Sequence, residues 1–505
     1  MMHKLLLLAA LLSGAAGAQG FDAERKSAID ATWTMTDEFD ASAPLAPLDG
    51  PPFGDMDPDP AFGNNGIAYY TPDPGAPTEN WGVKMFARPD QAGWYLLGRH
   101  RTGTNPWWAV VMVLRADGVA ERTITVPTPM FRLDDATWDS VNGRFYFVGG
   151  ARQPGLADSD FAVTCVDINN GPDGGVCSDF GTGGTAFIAF DRGGNMDDVA
   201  RRVISRPNLG VLVAGWARDG ADRYVFAATS LLRQSGGLVT RFGTNGRFTT
   251  DLGSIRPNLD VNVFDIALSD DADSEARLYI AGNYSRDEAR NNYDGVVLGL
   301  NAWNGVFDDW GPGGNGFTQV WLDLGIAGGD MSDAVTAITP LSNGKLALAG
   351  WSKDQAGLNR MMLARLRENG QLDINSGFCI NAGKCTPFNS GRSFWPTAIR
   401  ERPDTRDLVI AAENPNHPGV NDETWQMLFR FDRNGSYLQA ATQHSPHDST
   451  YEYTVPAALL VDRGSTTIVG TRRWNAGAND YDMRVTRLLH NDTVFADDFG
   501  GPRAN

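Results

Sequence analysis

Four aspartates and three aromatic residues fall at one recurring place in this chain, and they are the chemistry it offers. Counting 17 residues back from a Gly or Ala that ends a β-rich run reaches Asp333 from Gly350, Asp198 from Gly215 and Asp265 from Gly282. The same count reaches Trp81 from Gly98, Trp395 from Ala412 and Tyr453 from Gly470, and a shorter hairpin makes Asp135 the equivalent in the second unit. In a propeller the first strand of each blade lines the central channel, so these residues are expected near one channel mouth. An arc of carboxylates (Asp135, Asp198, Asp265, Asp333) facing an arc of aromatics suits a cation together with a stackable ligand such as a sugar. Ca²⁺ is the expected guest, because it seeks oxygen ligands. A plainer role stands beside this one. Aspartate at a strand start satisfies backbone N–H groups in turns, and Trp or Tyr there packs.

Other chemistries find less support. The chain carries no GxSxG elbow, phosphate-binding P-loop or CxxCH haem signature. It holds six His, and its one His cluster, His444-Ser445-Pro446-His447-Asp448, has no metal-ligand spacing and reads as a surface loop. Asp55, Asp57 and Asp59 alternate like the start of a calcium loop, but Pro60 stands where the turn needs Gly. Asp167-Ile168-Asn169-Asn170-Gly171-Pro172-Asp173-Gly174 also alternates oxygen ligands, in what reads as a turn.

Four Cys form two local pairs, Cys165 with Cys177 and Cys379 with Cys385, each bracketing a Gly/Asn-rich loop. Disulfides closing those loops are expected, and the absence of CxxC spacing or a nearby His argues against a metal site. A formal net charge of −18 disfavours nucleic acid and anionic membrane surfaces as partners. No stretch after the first residues reaches the ~20 apolar residues of a membrane helix.

The elements that position these residues follow from a repeat. The phrase aromatic-Gly-x-x-Gly occurs at Phe62–Gly66, Phe180–Gly184, Phe242–Gly246 and, with Trp, Trp310–Gly314. β-Rich runs ending at Gly98, Gly150, Gly215, Gly282, Gly350, Ala412 and Gly470 keep step with it, giving seven units of roughly sixty residues. In the fifth unit Asp333–Ile338, Lys345–Gly350 and Arg360–Leu366 read as strands joined at Ser342-Asn343-Gly344, and Asn369-Gly370 turns into a fourth strand. Four strands in a meander make one propeller blade. The expectation is an all-β fold, a single β-propeller of seven four-stranded blades over residues 61–490. The first Gly of the phrase is expected to permit a tight turn, and its aromatic to pack between blades.

The ends read differently. Lys4, the apolar run Leu5–Leu12 and Ala16-Gly17-Ala18 form an export signal over residues 1–18, so the protein is expected outside the cytoplasm, in the periplasm or beyond the cell. Residues 19–60 are a Pro- and Asp-rich arm or linker. The tail 491–505 contains VFADDFG and is expected to supply a strand that closes the ring against the first blade.

Ser178-Asp179-Phe180-Gly181 with Asp197-Asp198, Ser159-Asp160-Phe161-Ala162-Val163, and Arg241–Gly246 followed by Thr249-Thr250-Asp251 carry a family resemblance. The chain resembles the delta-60 repeat family of exported bacterial proteins over residues 60 to 490. The resemblance implies a β-propeller and export, and implies no chemistry. The favoured function is a non-enzymatic, monomeric binding module for a small molecule, glycan or protein. Its alternatives are a calcium-dependent propeller hydrolase, lactonase or glycan lyase, and a structural scaffold of the envelope.

Overall fold

A computed structural model describes residues 56–490 except 73–77, 154, 156, 172–173, 193–196, 254–259, 287–291, 321–331, 375–377, 379–385, 389–392, 415–424, 444–452, 463 and 475–479. The described elements are strands, and no helix occurs among them. They form a seven-bladed β-propeller. The first strands of the blades are Glu79–Ala87, Met130–Asp139, Asp198–Arg206, Val261–Leu268, Asp333–Pro340, Trp395–Glu401 and Tyr453–Val461. Each packs against the first strand of the next blade, and the seventh against the first, so the ring is closed around a central axis.

Blade 3 shows the common plan: Asp198–Arg206, Gly210–Arg218, Tyr224–Leu231 and Arg247–Thr250 pair antiparallel in that order. Its third strand is buried at every residue from Val225 to Leu231 because both faces are covered, one by each neighbouring blade. The apolar core lies in these blade-to-blade seams. Phe226, Phe242 and Leu212 of blade 3, for example, share one cluster with Val263, Ile280 and Leu298 of blade 4.

The Phe-Gly phrase is a clamp across the seam. It sits just before the fourth strand, and its aromatic is buried in every case: Phe62, Phe180 and Phe242 are 0 % exposed and Trp310 is 1 %. The Gly N–H donates to a carbonyl in the next blade: Gly63 to Asp117 at 2.8 Å, Gly181 to Ser235 at 2.9 Å, Gly243 to Asn304 at 2.6 Å and Gly311 to Asn369 at 2.9 Å. The aromatic ring lies on the glycine that follows that carbonyl, Gly118, Gly236, Gly305 or Gly370. Gly243 has φ +56°, and a Cβ there would stand 2.1 Å from the Arg247 carbonyl oxygen, so the turn admits no side chain. Blade 5 lacks the phrase, yet Phe378 is buried over Gly435 of blade 6 in the same way.

Ring closure differs from the expectation. The fourth strand of blade 7 is Ile67–Tyr70, near the other end of the chain, which pairs with Asp480–Leu489 in the register Ile67↔Thr486 and Tyr70↔Met483. Blade 7 therefore joins both ends of the chain, and the Phe62–Gly66 phrase belongs to it rather than to the first unit. Asp57-Pro58 continues that pairing at Leu489 and Leu488, and Met56 is buried among Ala411, Leu428 and Leu459 in the seam of blades 6 and 7. The tail 491–505, the signal region and residues 19–55 lie outside the described residues, as do His444–Asp448. Cys165 and Cys177 form a disulfide. Cys379 and Cys385 lie outside the described residues.

Candidate functional site

A close approach marks the register of six of the seven first hairpins, and Ala412 holds the same place in blade 6. Gly98, Gly149, Gly215, Gly282, Gly350, Ala412 and Gly470 of the second strands pair with Gly82, Leu133, Ala200, Val263, Val335, Pro396 and Pro456, and a β-bulge follows each pairing. At Gly215 an added Cβ would lie 2.0 Å from the Val199 carbonyl oxygen. In the second unit Gly149, not Gly150, holds this place.

Measured from that pairing, the seven expected site residues do not share one level. Asp198 and Asp333 stand two residues before it, Trp81 and Trp395 one before, and Tyr453 three before. Asp135 and Asp265 stand two residues after it, beyond the bulge. The fixed count misplaced them because the first hairpins differ in length: three residues connect the strands in blade 3 and eight in blade 4. Four residues, one of them taken up by the bulge, separate the two aspartate levels by roughly 10 Å. The four carboxylates therefore do not converge on one cation. Among the described residues, no group of three or more His, Cys, Asp or Glu is arranged to hold a metal ion.

The deeper level is an arc of alternating charge over four blades. Lys84, Asp135, Arg202 and Asp265 occupy the same register in blades 1 to 4, and Ala337, Ala398 and Ala458 occupy it in blades 5 to 7. Lys84 Nζ lies 2.9 Å from Asp135 Oδ1, and Asp135 Oδ2 accepts the Val203 N–H of the next blade at 3.0 Å. Asp265 repeats the pattern: its Oδ2 accepts the Ile338 N–H at 3.0 Å, and Arg202 Nε stands 3.9 Å from Oδ1. Burial pushes the Asp265 carboxyl up, while Arg202, Arg400, the Ile338 N–H and Lys84 oppose that. These aspartates fasten one first strand to the next.

The upper level is seam chemistry as well. Asp198 is 0 % exposed; its Oδ2 accepts the Phe190 N–H at 2.7 Å and its own N–H donates to the Ser159 carbonyl at 2.6 Å. Its Oδ1 is buried with no hydrogen-bond partner. Burial above all, with Asp160 and Asp191 adding repulsion, pushes this carboxyl up to about 8. Asp160 across the seam is itself raised, by burial first. Asp333 is equally buried at the start of blade 5. The neighbouring Asp197 accepts both the N–H and the hydroxyl of Ser159 at 2.9 Å, so the Asp-Asp phrase staples blade 3 to blade 2.

A different cluster dominates the mouth on the face where the first strands begin. Trp81 stacks on Tyr481 of blade 7 at 5.0 Å. The Arg99 guanidinium lies between two indole rings, 5.2 Å from Trp81 and 4.5 Å from Trp107. Arg101 covers Trp107 at 4.2 Å and pairs with Glu79 at 2.9 Å. One carboxylate, Asp134, stands among three arginines from three blades: Arg132 Nε at 2.5 Å, Arg201 Nη1 at 2.8 Å and Arg99 Nη1 at 3.8 Å. The Trp107 backbone N–H donates to the Met130 carbonyl at 2.8 Å, and Trp108 pairs with Pro127 of the outer strand. Trp108 is 39 % exposed and Phe131 40 %, and the Arg152 guanidinium lies 6.0 Å from the Phe131 ring. Across the ring, Trp395 packs against Trp351 at 5.3 Å. Sequence reasoning found Trp81 and Trp395 but missed the arginines. The alternation Arg99-His100-Arg101 ahead of Trp107-Trp108 was the available signal.

The opposite face offers less. A cavity of 130 Å³ lies between the turns of blades 5 and 6, lined by Leu341, Ser342, Glu401, Arg406 and Arg433. That is below the roughly 300 Å³ of ordinary small-molecule sites.

No protein-family model matches the chain, and no curated protein matches it. Solved structures do. The β-propeller domain of the Trilobed protease from Pyrococcus furiosus is similar at 9% identity and TM-score 0.40, over 83% of this chain and 98% of that one. Polysaccharide lyase Uly1 is similar at 8% identity and TM-score 0.45, over 81% and 90%. The plexin A4 extracellular region is similar at 9% identity and TM-score 0.45, over 82% of this chain and 47% of that one.

Proposed function

We propose that the protein is an exported, non-enzymatic binding propeller of the delta-60 repeat type. Its ligand, a carbohydrate, rests on the mouth built by blades 1 to 3. The observation that carries this reading is the pair of exposed rings, Trp108 and Phe131, on the face where buried Trp107 holds Arg99 and Arg101 and Trp81 packs beside Arg99. Aromatic faces give a sugar ring a flat apolar surface, and arginine forks supply directional donors at its edge. The platform is held rigid: Arg99 is fixed between two rings and Trp107 is tied to the Met130 backbone, so binding costs little ordering entropy. Asp135 and Asp265 already hold cationic side chains and backbone N–H groups, so the proposed site takes no Ca²⁺ from them. Export draws support from the signal-like first residues and the Cys165–Cys177 disulfide.

Titration of tryptophan fluorescence with defined oligosaccharides tests the reading. A saturable change is expected, and Trp108→Ala or Phe131→Ala removes it at unchanged Tm. Saturable binding that survives both substitutions refutes the location. The enzymatic alternative keeps one observation in its favour, since arginines beside a carboxylate such as Asp134 are what acid–base work on a glycan recruits. Product formation from the same oligosaccharides, followed by chromatography, decides between the two.

A further inference from the structure

We propose that the ring opens at the seam of blades 6 and 7, and that Met56 to Asp59, ahead of the first blade, latch it shut. Three observations set this seam apart. The first is its missing clamp. Phe62, Phe180, Phe242, Trp310 and Phe378 each lie on a turn glycine of the next blade, and Ile124 lies against Gly174 where blade 1 meets blade 2. Among the described residues, no side chain of blade 6 lies on a glycine of blade 7. What fills this seam instead is Met56, 3 % exposed among Ala411 and Leu428 of blade 6 and Leu459 and Leu488 of blade 7.

The second observation is polarity. One place past the register Gly or Ala, the third strand turns Phe161 of blade 2 and Phe226 of blade 3 into the next seam, and blade 6 has Gln426 there. Gln426 is 1 % exposed, yet neither its amide oxygen nor its amide nitrogen has a hydrogen-bond partner. On the blade 7 wall Thr486 shares a strand face with Leu488, and its buried hydroxyl is likewise without a hydrogen-bond partner. The apolar cluster of this seam contains no aromatic ring, whereas Phe226 and Phe242 fill the seam of blades 3 and 4. A polar atom that loses water and finds no partner disfavours the closed state, so this seam gains less on closing than the others. The third observation is the latch. Asp57-Pro58 pairs with Leu489 and Leu488, and the Asp59 N–H donates to the Arg487 carbonyl at 3.0 Å. Proline brings no N–H to that short ladder. The segment precedes both the Phe62 clamp and the fourth strand Ile67–Tyr70, so it can leave while blade 7 stays complete. Its release withdraws Met56, and opening then hydrates the Gln426 amide and the Thr486 hydroxyl. A partner or protease that takes hold of the chain ahead of Met56 therefore acts on this seam.

Thiol labelling of single buried probes in the full chain, without denaturant, reads the opening, because its rate follows the population of locally opened forms. Ala411→Cys reports this seam and Ala214→Cys the seam of blades 3 and 4. Both alanines are 0 % exposed and stand one residue before the register Gly or Ala of the second strand. The parent chain, labelled alongside, gives the background of the native cysteines. The probe at 411 is expected to label about tenfold or more faster than the probe at 214. Met56→Ala is expected to speed the probe at 411 by a further tenfold or about that, as truncation of a buried methionine does, and to leave the probe at 214 unchanged. Equal rates at the two probes in the parent background overturn this seam as the place of opening. A rate at 411 that Met56→Ala leaves unchanged overturns the latch. Acceleration of both probes alike shows that Met56 acts on global stability, and overturns it too. Where Ala411→Cys fails to fold, Val409→Cys, 1 % exposed on the same wall of the seam, replaces it.

Discussion

Replacing Asp198 with Asn should stabilise the protein at neutral and alkaline pH and leave it unchanged in acid. The carboxyl is 0 % exposed, with one oxygen bonded to the Phe190 N–H and the other without a partner. Its folded value is raised from 3.8 to about 8, by burial first. Below pH 4 the group is protonated in both folded and unfolded chains and contributes no pH dependence. Between pH 4 and 8 the unfolded chain releases a proton that the folded chain keeps, so folding stability falls as pH rises, by about 1.4 kcal/mol per unit. At pH 7 the cumulative loss is about 4 kcal/mol. Asn presents the neutral form at every pH, and its carbonyl still accepts from Phe190. For a domain of this size that difference corresponds to about 4 °C in Tm. Thermal unfolding by circular dichroism from pH 4.5 to 8 reads it. The wild-type curve should fall with pH while the variant's stays flatter, the two meeting near pH 4.5. A variant that is less stable than wild type at pH 8, or offset equally at all pH values, would show that Asp198 is charged and paired in the folded protein, and the argument would fail.

Three further outcomes follow from the same geometry. Phe242→Ala empties the clamp between blades 3 and 4 and should cost about 4 kcal/mol in urea unfolding, with the cavity term included. Removal of residues through Tyr70 takes the fourth strand from blade 7 and should lower Tm sharply and expose an edge that associates in size-exclusion chromatography. In the channel, Lys84→Met alone should cost about 3 kcal/mol by stranding Asp135, and the double change Lys84→Met with Asp135→Asn should cost less than the two single changes added, read by a double-mutant cycle.

The fold was legible because its rules are local and repeated. A Gly that admits no Cβ, an aromatic four residues ahead of the closing Gly, and Asn-Gly turns are each demanded by local geometry or seam packing, and each recurs at a visible period. The sequence also singled out Asp198, and the structure shows its Oδ2 accepting the Phe190 N–H across the seam, the kind of backbone contact weighed beside the ligand role. What it concealed was register. Asp265 and Asp333 sit at the same distance before their glycines in the chain, yet the longer first hairpin of blade 4 moves Asp265 past the bulge, where it meets Ile338 and Arg202. The closing strand was concealed for another reason. Phe62-Gly63 looks like the opening of a first unit, and only pairing between residues some four hundred apart shows that it completes the last. Phe378 escaped because the Gly that normally follows the aromatic is absent there, although the ring fills the same place.

The distribution of charge around the ring then constrains where a ligand can sit. The clamp residues are common to most seams, so they hold the ring and distinguish no position on it. The first strands do distinguish positions: at one register, blades 1 to 4 carry Lys84, Asp135, Arg202 and Asp265, while blades 5 to 7 carry alanine. The bulge residue just above adds Asp134 and Arg201 in blades 2 and 3 and Thr336 and Thr397 in blades 5 and 6. One side of the channel is thus polar and internally paired, and the other is small and apolar. Pairing at depth removes the deep carboxylates from competition for the mouth arginines, because Asp135 is held by Lys84 and Asp265 by backbone N–H groups and Arg202. Above them Asp134 links Arg132, Arg201 and Arg99 of three blades, all with largely buried side chains. Charged groups at the mouth are therefore concentrated in blades 1 to 3, and a ligand placed over blades 5 and 6 would meet Trp351 and Trp395 without them.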